Sequence, residues 1–192
     1  MTSRSTYHHG DLRQALLAAA LDVITAEGPG ALSLRDLARR AGVSHAAPAH
    51  HFGDRTGLLT ALAAQGYDLL AEALAAAPDL RERGVRYVRF AVEHPGHFQV
   101  MFQPELLRAD DPALRAARER ASAGLREGVA ALRDVPDARA AGIAAWSLAH
   151  GFATLLLTHN VRDAVGDRDP EEYFRDLTGL LFTGQLAPEA GE

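Results

Sequence analysis

The 192-residue sequence has no cysteine and no lysine, a single tryptophan, two methionines and only 6% aromatic residues. Without cysteine there is no disulfide, no thiolate metal site and no cysteine nucleophile. Without lysine, all twenty fixed side-chain cations are arginines. β-Branched and aromatic residues are sparse while Ala and Leu are abundant, so an all-α fold is favoured before any motif is read. Long apolar runs are also lacking: the longest candidate, Ile143–Leu157, contains Ser147, His150 and Gly151 and falls short of the roughly 20 residues that span a bilayer. The apolar positions near the start are interrupted by Asp11, Arg13 and Gln14, which gives no cleavable secretory core. No membrane association and a cytoplasmic location are the expectations. GxSxG, HExxH, P-loop and GxGxxG patterns are absent as well, which leaves enzyme chemistry without a foothold.

A net charge of −5 argues against nucleic acid on its face, but the charge is unevenly spread. Residues 1–60 carry six arginines, five acids and five of the nine histidines; residues 61–192 carry fourteen arginines and twenty acids. Binding to DNA needs a local basic footprint rather than a basic protein. An acidic remainder keeps the wrong face away from phosphate.

Leu12, Leu16, Ala19, Ala20 and Val23 recur at helical spacing, and Gly28-Pro29-Gly30 ends that first helix. Ser33 with Asp36 three residues later has the form of a capping box for a short second helix, closed by Gly42. Ser44 is expected to cap a third short helix running to about His51. A long fourth helix follows from about Arg55 to Ala77. Two helices of about eight residues across a glycine-containing turn are a helix-turn-helix pattern. Later helices are expected over about 79–93, 112–133, 138–160 and 170–185, with a short apolar piece at 97–103 and a frayed tail at 187–192.

The run Leu32–Leu62 resembles the DNA-binding module of the TetR/AcrR family of transcription regulators. The resemblance lies in Ser33-Leu34-Arg35-Asp36-Leu37-Ala38, Ala41-Gly42-Val43-Ser44, His51-Phe52, Arg55 and Gly57-Leu58-Leu59, and reaches back to His9-Gly10-Asp11-Leu12-Arg13. His94-Pro95-Gly96-His97-Phe98 with Met101-Phe102, and Trp146…His150-Gly151, are similar to the subgroup whose carboxy-terminal domain carries a Trp…His-Gly signature. This implies about nine helices, with a DNA-binding domain at 1–56 joined through the fourth helix to a ligand-binding and dimerisation domain at 57–186. It further implies a two-fold dimer on helices eight and nine and a ligand cavity in the carboxy-terminal domain. The sequence departs from the family at Ala47-Pro48-Ala49-His50: Ala49 stands where a phosphate-contacting tyrosine is usual, and Pro48 removes an N–H and crowds the carbonyl four residues back.

On this reading Ser33, Arg35, Ser44, His45, Ala46, His50, His51 and Arg55 meet palindromic operator DNA. Arg35 suits a guanine edge, Ala46 a thymine methyl, and Arg55 a phosphate at the start of helix four. Tyr67, Phe98, Met101, Phe102, Trp146 and His150 line the site of a small-molecule effector. Gly151, Phe152, Leu155, Leu156, Leu177 and Leu181 form the homodimer interface. No cofactor is expected, and no metal either, because adjacent His50 and His51 diverge on a helix. The competing reading is a helical ligand-binding or interaction protein whose DNA recognition is impaired at Pro48 and Ala49.

Overall fold

The structure is a computed structural model that describes the backbone of residues 9–133 and 135–183 and the side chains of 12–133 and 135–180. The expected tail at 187–192 and the side chain of Leu181 lie outside the described residues. Among the described residues every regular element is helical.

Three left-handed glycines punctuate the amino-terminal third. Helix α1 (His9–Glu27) ends at Gly28, whose φ of 83° is open to glycine at little cost. A 3₁₀ turn at Pro29–Ala31 leads to α2 (Leu34–Arg40). Gly42, at φ 66°, turns the chain toward α3 (Ala47–Phe52), and Gly53, at φ 78°, ends it before α4 (Arg55–Ala75). Leu16, Leu17, Ala20 and Ile24 of α1 are buried along with Leu32, Leu37, Ala38 and Phe52, so the short helices are held by a shared core rather than by propensity.

The remaining helices are α5 (Leu80–Glu93), α6 (Pro95–Met101), α7 (Pro112–Ala130), α8 (Ala138–Leu157), α9 (Arg162–Val165) and α10 (Pro170–Thr183), with a 3₁₀ turn at Pro104–Leu106. The short α9 makes ten α-helices among the described residues, so the helix expected as the ninth is α10. The chain divides into two compact units, residues 1–68 with 94–118 and residues 69–93 with 119–192. The functional division expected after residue 56 therefore falls within the first unit, because α4 begins there and α6 packs on α1. A side chain at Gly96 would meet Thr25 Oγ1 at 2.6 Å, so α6 sits directly against α1.

In the second unit α5 packs against α8 and α10. Phe90 and Phe174 are almost fully buried, and a Cβ at Gly84 would lie 2.8 Å from the Phe174 ring. Arg175 pairs with Glu82 through two contacts of 2.8 and 3.1 Å, and Arg89 reaches Glu171 at 2.5 Å. Helix α8 corrects one expectation. Asp137 caps Arg139 and Ala140, and the helix expected over 138–160 ends at Leu157; its 20 residues include an 18-residue stretch of mean hydropathy 1.5. By length and composition it is long enough to cross a membrane, which the run from Ile143 alone was not.

Candidate nucleic-acid interface and effector cluster

Residues 33–55 hold the expected DNA contacts, and the structure sorts them into exposed and committed groups. Ser33 takes the N-cap position of α2 with extended backbone, but its side chain makes no cap bond. The expected capping box does not form, because the Asp36 carboxylate turns to Arg40 Nε at 2.7 Å and Arg39 Nη2 at 2.6 Å. Arg40 and Arg39 together hold that carboxyl below its usual range. Arg35 is exposed and makes no polar contact among the described residues. It is the cation on α2 left for a partner.

The recognition helix begins two residues later than expected. Ser44, His45 and Ala46 lie in the turn, all exposed, and Ala46 is the N-cap of α3. Pro48 explains the shift. As the second helical residue it needs no intrahelical N–H partner, so it is tolerated at the N-terminus where it would break an interior. The distortion expected within the helix becomes a shortening of it. Pro48 is buried while Ala49 and His50 face solvent. His51 is half-buried, its ring 6.1 Å from that of Phe52, with the His50 ring 5.5 Å away.

Arg55 is held by the protein itself. Its Nε donates to the Leu32 carbonyl at 3.0 Å and its Nη2 to that of Pro29 at 2.5 Å. The guanidinium ties α4 to the turn before α2, a structural role that the motif did not suggest. Sequence reasoning also passed over two other arginines: Arg13 of α1, seated over the Phe52 ring at 5.3 Å, and Arg108, paired with Asp54 at 2.8 Å. Neither had a periodic or motif signal tying it to these partners. Among the described residues, no three His, Asp or Glu side chains gather into a metal site.

The expected effector residues separate into two groups. Tyr67, Phe98, Met101 and Phe102 meet within the first unit. The Phe98 and Phe102 rings lie 5.1 Å apart, Phe102 meets Tyr67 edge-on at 6.0 Å, and the Tyr67 hydroxyl donates to the Met101 carbonyl at 3.0 Å. Arg118 lies 5.4 Å over the Tyr67 ring. Burial raises the Tyr67 hydroxyl's pKa, and Arg118 opposes this. Gly66 gives the cluster room, since a Cβ there would sit 2.6 Å from Met101 Sδ. His97, 5% exposed, has Nε2 3.4 Å from Gln65 Oε1; burial first, and then His94, lower its pKa to about 4. Although His97 falls in the His94–Phe98 motif, it was not placed among the effector residues, because the motif gives no sign of its burial or of Gln65 as its partner.

Trp146 and His150 belong to the second unit. His150 Nδ1 is 2.8 Å from the Tyr87 hydroxyl, and burial lowers the pKa of its ring. Trp146 lies 5.7 Å from His150 and is 44% exposed, so it is not an interior wall. An open groove of about 500 Å³ runs along Val129, Leu132, Pro136 and Ala138, and none of the six expected residues lines it.

Among the expected interface residues, Phe152 is spent inside the protomer. It is 6% exposed and stacks on Tyr173 at 5.7 Å, with Phe174 at 5.6 Å. Leu156 and Leu177 are half-buried, and Leu155 is 43% exposed. Beyond the backbone of its own helix, none of the described residues lies within 4 Å of a Cβ built at Gly151, so their packing does not demand a glycine there. The expected set also missed Ile143 and Leu180, exposed by 54% and 76%.

An all-helical chain with a helix-turn-helix in one unit and a helical carboxy-terminal part is a transcription regulator in architecture. Residues 16–62 match the bacterial regulatory proteins of the tetR family, and residues 80–181 match the tetracyclin repressor-like carboxy-terminal domain. The chain belongs to the TetR family of bacterial transcription regulators. No curated protein matches the sequence. Among solved structures, a protein of unknown function from Rhodococcus sp. RHA1 is 31% identical, with a TM-score of 0.76 over 94% of this chain and 98% of that one. The TetR family regulator PfmR from Thermus thermophilus is 28% identical, with a TM-score of 0.63 over 88% and 97%. The multidrug binding protein EbrR, solved with imidazole, is 25% identical, with a TM-score of 0.58 over 94% and 97%.

Proposed function

We propose that the protein is a cytoplasmic repressor: a homodimer that binds a palindromic operator and is released from it by a small, largely apolar molecule. The observation that carries this is the exposed set Ser33, Arg35, Ser44, His45, Ala46 and His50 around the Gly42 turn, in a chain of this family. Arg35 and the residues opening α3 meet base edges, while serine hydroxyls and backbone N–H groups meet phosphate. Residues 1–56 form the reading module and 57–186 the effector and dimer part. Pro48 opens the helix rather than breaking it, which removes one of the two motives for impaired DNA recognition and leaves the one at Ala49.

The effector site is the cluster of Tyr67, Phe98, Met101 and Phe102, mostly apolar with few polar fixtures, as small-molecule sites are. The likeness to a multidrug-binding protein supports an apolar or aromatic effector. The outward face of α8, with Leu155 and Gly151, joins Leu177 and Leu180 of α10 to meet a second copy about a two-fold axis. We assign that face to a protein partner and not to a bilayer, because the exposed Arg139 and Ser147 interrupt it. Binding, not catalysis, is the activity.

The test is selection of bound fragments from random duplex DNA by the full-length protein. Enrichment of an inverted repeat with half-sites about 34–36 Å apart, or a multiple of that, is expected. Failure to enrich any sequence at moderate salt overturns the reading.

A further inference from the structure

The stretch from α6 to α7 is not a loose connection. The Gln103 N–H bonds to the Val100 carbonyl, Leu106 to Gln103, Leu107 to Pro104, and Asp111 to Arg108. Leu107 is 8% exposed and anchors the segment. Phe102 of the aromatic cluster immediately precedes it, and Arg108 stands six residues further on. There the segment grips the start of α4 at two points. The Arg108 backbone N–H donates to Thr60 Oγ1 at 3.0 Å, and Thr60 is 3% exposed. The Arg108 guanidinium donates to Asp54 Oδ2 at 2.8 Å, while Asp54 Oδ1 accepts the Gly57 N–H at 2.8 Å. Gly57 completes the contact: a Cβ there would lie 2.0 Å from the Phe52 carbonyl oxygen and 3.1 Å from Arg108 Nη1. The last carbonyl of the recognition helix, the bare backbone of α4 and Arg108 therefore meet at one place.

We propose that residues 103–111 act as a strap that makes the turn between α3 and α4 follow α6, with Arg108 as the positioning residue. The proposal rests on the reading of α6 as a wall of the effector site and adds a route for regulation. A ligand that displaces Phe98 or Phe102 moves the strap, and the strap moves the exit of the recognition helix without any bend in α4. The Gly57 N–H, and after it Arg108, hold the Asp54 carboxyl below its usual range, so the carboxylate stays charged for the clamp at neutral pH. Exposed ion pairs are weak, and this one is 44% and 60% exposed. A weak clamp suits a switch, since a small differential affinity of the ligand for the two states is enough to shift it.

Amide hydrogen exchange on the full-length protein without DNA tests the strap directly. Arg108→Gln should speed exchange at Gly57 and Leu58 by about two- to fivefold, and Arg108→Lys should restore most of the protection. Phe102→Ala should speed the same amides in the wild-type background and add nothing in the Arg108→Gln background. Unchanged exchange in Arg108→Gln, or additive effects of the two substitutions, overturns the proposal. On a duplex selected by the wild-type protein, Arg108→Gln should weaken binding by about two- to fivefold with the salt dependence unaltered. A shallower salt slope would make Arg108 a phosphate contact instead, and also overturns it. If the wild-type protein selects no duplex, the operator reading fails while the exchange data still decide the strap.

Discussion

The recognition segment and helix α8 each turn a face to solvent, and the two faces have opposite chemistry. From Ser33 to His50 the exposed side chains include Arg35, Ser44, His45 and His50, a surface of hydrogen-bond donors around a short helix. Helix α8 shows solvent Ile143, Ala144, Trp146, Ser147, Thr154 and Leu155, while only Ala149, Phe152 and Ala153 are buried. A donor-rich face gains by meeting base edges and phosphate. An apolar face gains by meeting a copy of itself and excluding water. Several other arginines are already committed: Arg55 to carbonyls, Arg39 and Arg40 to Asp36, Arg175 to Glu82. The contrast separates arginines already held inside the protomer from Arg35, which no described residue engages.

The contrast breaks most visibly at α8. Leu155→Arg sets two like charges near each other across the two-fold axis and leaves the protomer core intact. The protein should sediment as a monomer at micromolar concentration. Its operator affinity should fall by about a hundredfold or more, since the second half-site no longer adds to the first. A dimer of unchanged strength would move the interface elsewhere.

Committed and free histidines differ in the same way. His97 has a folded pKa of about 4 against an ordinary 6.5, so the unfolded chain binds its proton more readily. Its contribution is constant above about pH 6.5, destabilises progressively as pH falls toward 4, and is constant again below that. His97→Gln should flatten the acid side of the stability profile by up to about 3 kcal/mol relative to wild type, measured by denaturant unfolding from pH 7 to 4. Parallel profiles for the two proteins would place the histidine in a wetter site than the structure gives it. Arg55→Ala sharpens the contrast further. It strips two bonds from the Pro29 and Leu32 carbonyls and should cost about 2 kcal/mol of stability, while the salt dependence of DNA binding stays the same. A flattened salt slope with normal stability would restore the phosphate role.

The fold was legible because its signals are local. Apolar residues at helical spacing, together with Gly28 and Gly42, mark element ends through backbone sterics alone. The start of α3 was misplaced because Pro48 is forbidden inside a helix but welcome in its first turn, and sequence alone does not say which turn it occupies. The site was less legible, because commitments between residues distant in sequence leave no periodic trace. Arg55 finds carbonyls 23 and 26 residues away, and Arg108 finds Asp54 at a separation of 54. Phe152 fits an apolar stripe equally well as core or as interface, and only the stack on Tyr173 decides. The apolar run from Ile143 read as too short to span a bilayer because the alanines between the Asp137 cap and Ile143 were not counted with it.

The finest test of the comparison concerns Arg35, the α2 cation that no described residue engages. Arg39 and Arg40 flank the same acid and are held by it, so three arginines on seven residues of helix have two different fates. If freedom from internal partners marks the reader, Arg35→Ala should weaken binding to the selected operator by about fivefold to tenfold and relax preference at one base pair, as loss of a bidentate guanine contact does. Arg39→Ala, losing only an exposed pair, should change affinity by less than about twofold. The measurement is selection from duplexes randomised one position at a time, repeated for both variants. Equal weakening across all sequences by Arg35→Ala would make it a phosphate contact. A larger loss of specificity from Arg39→Ala than from Arg35→Ala would show that DNA competes Asp36 away from its arginines, and that engagement inside the free protein does not predict which residues read the operator.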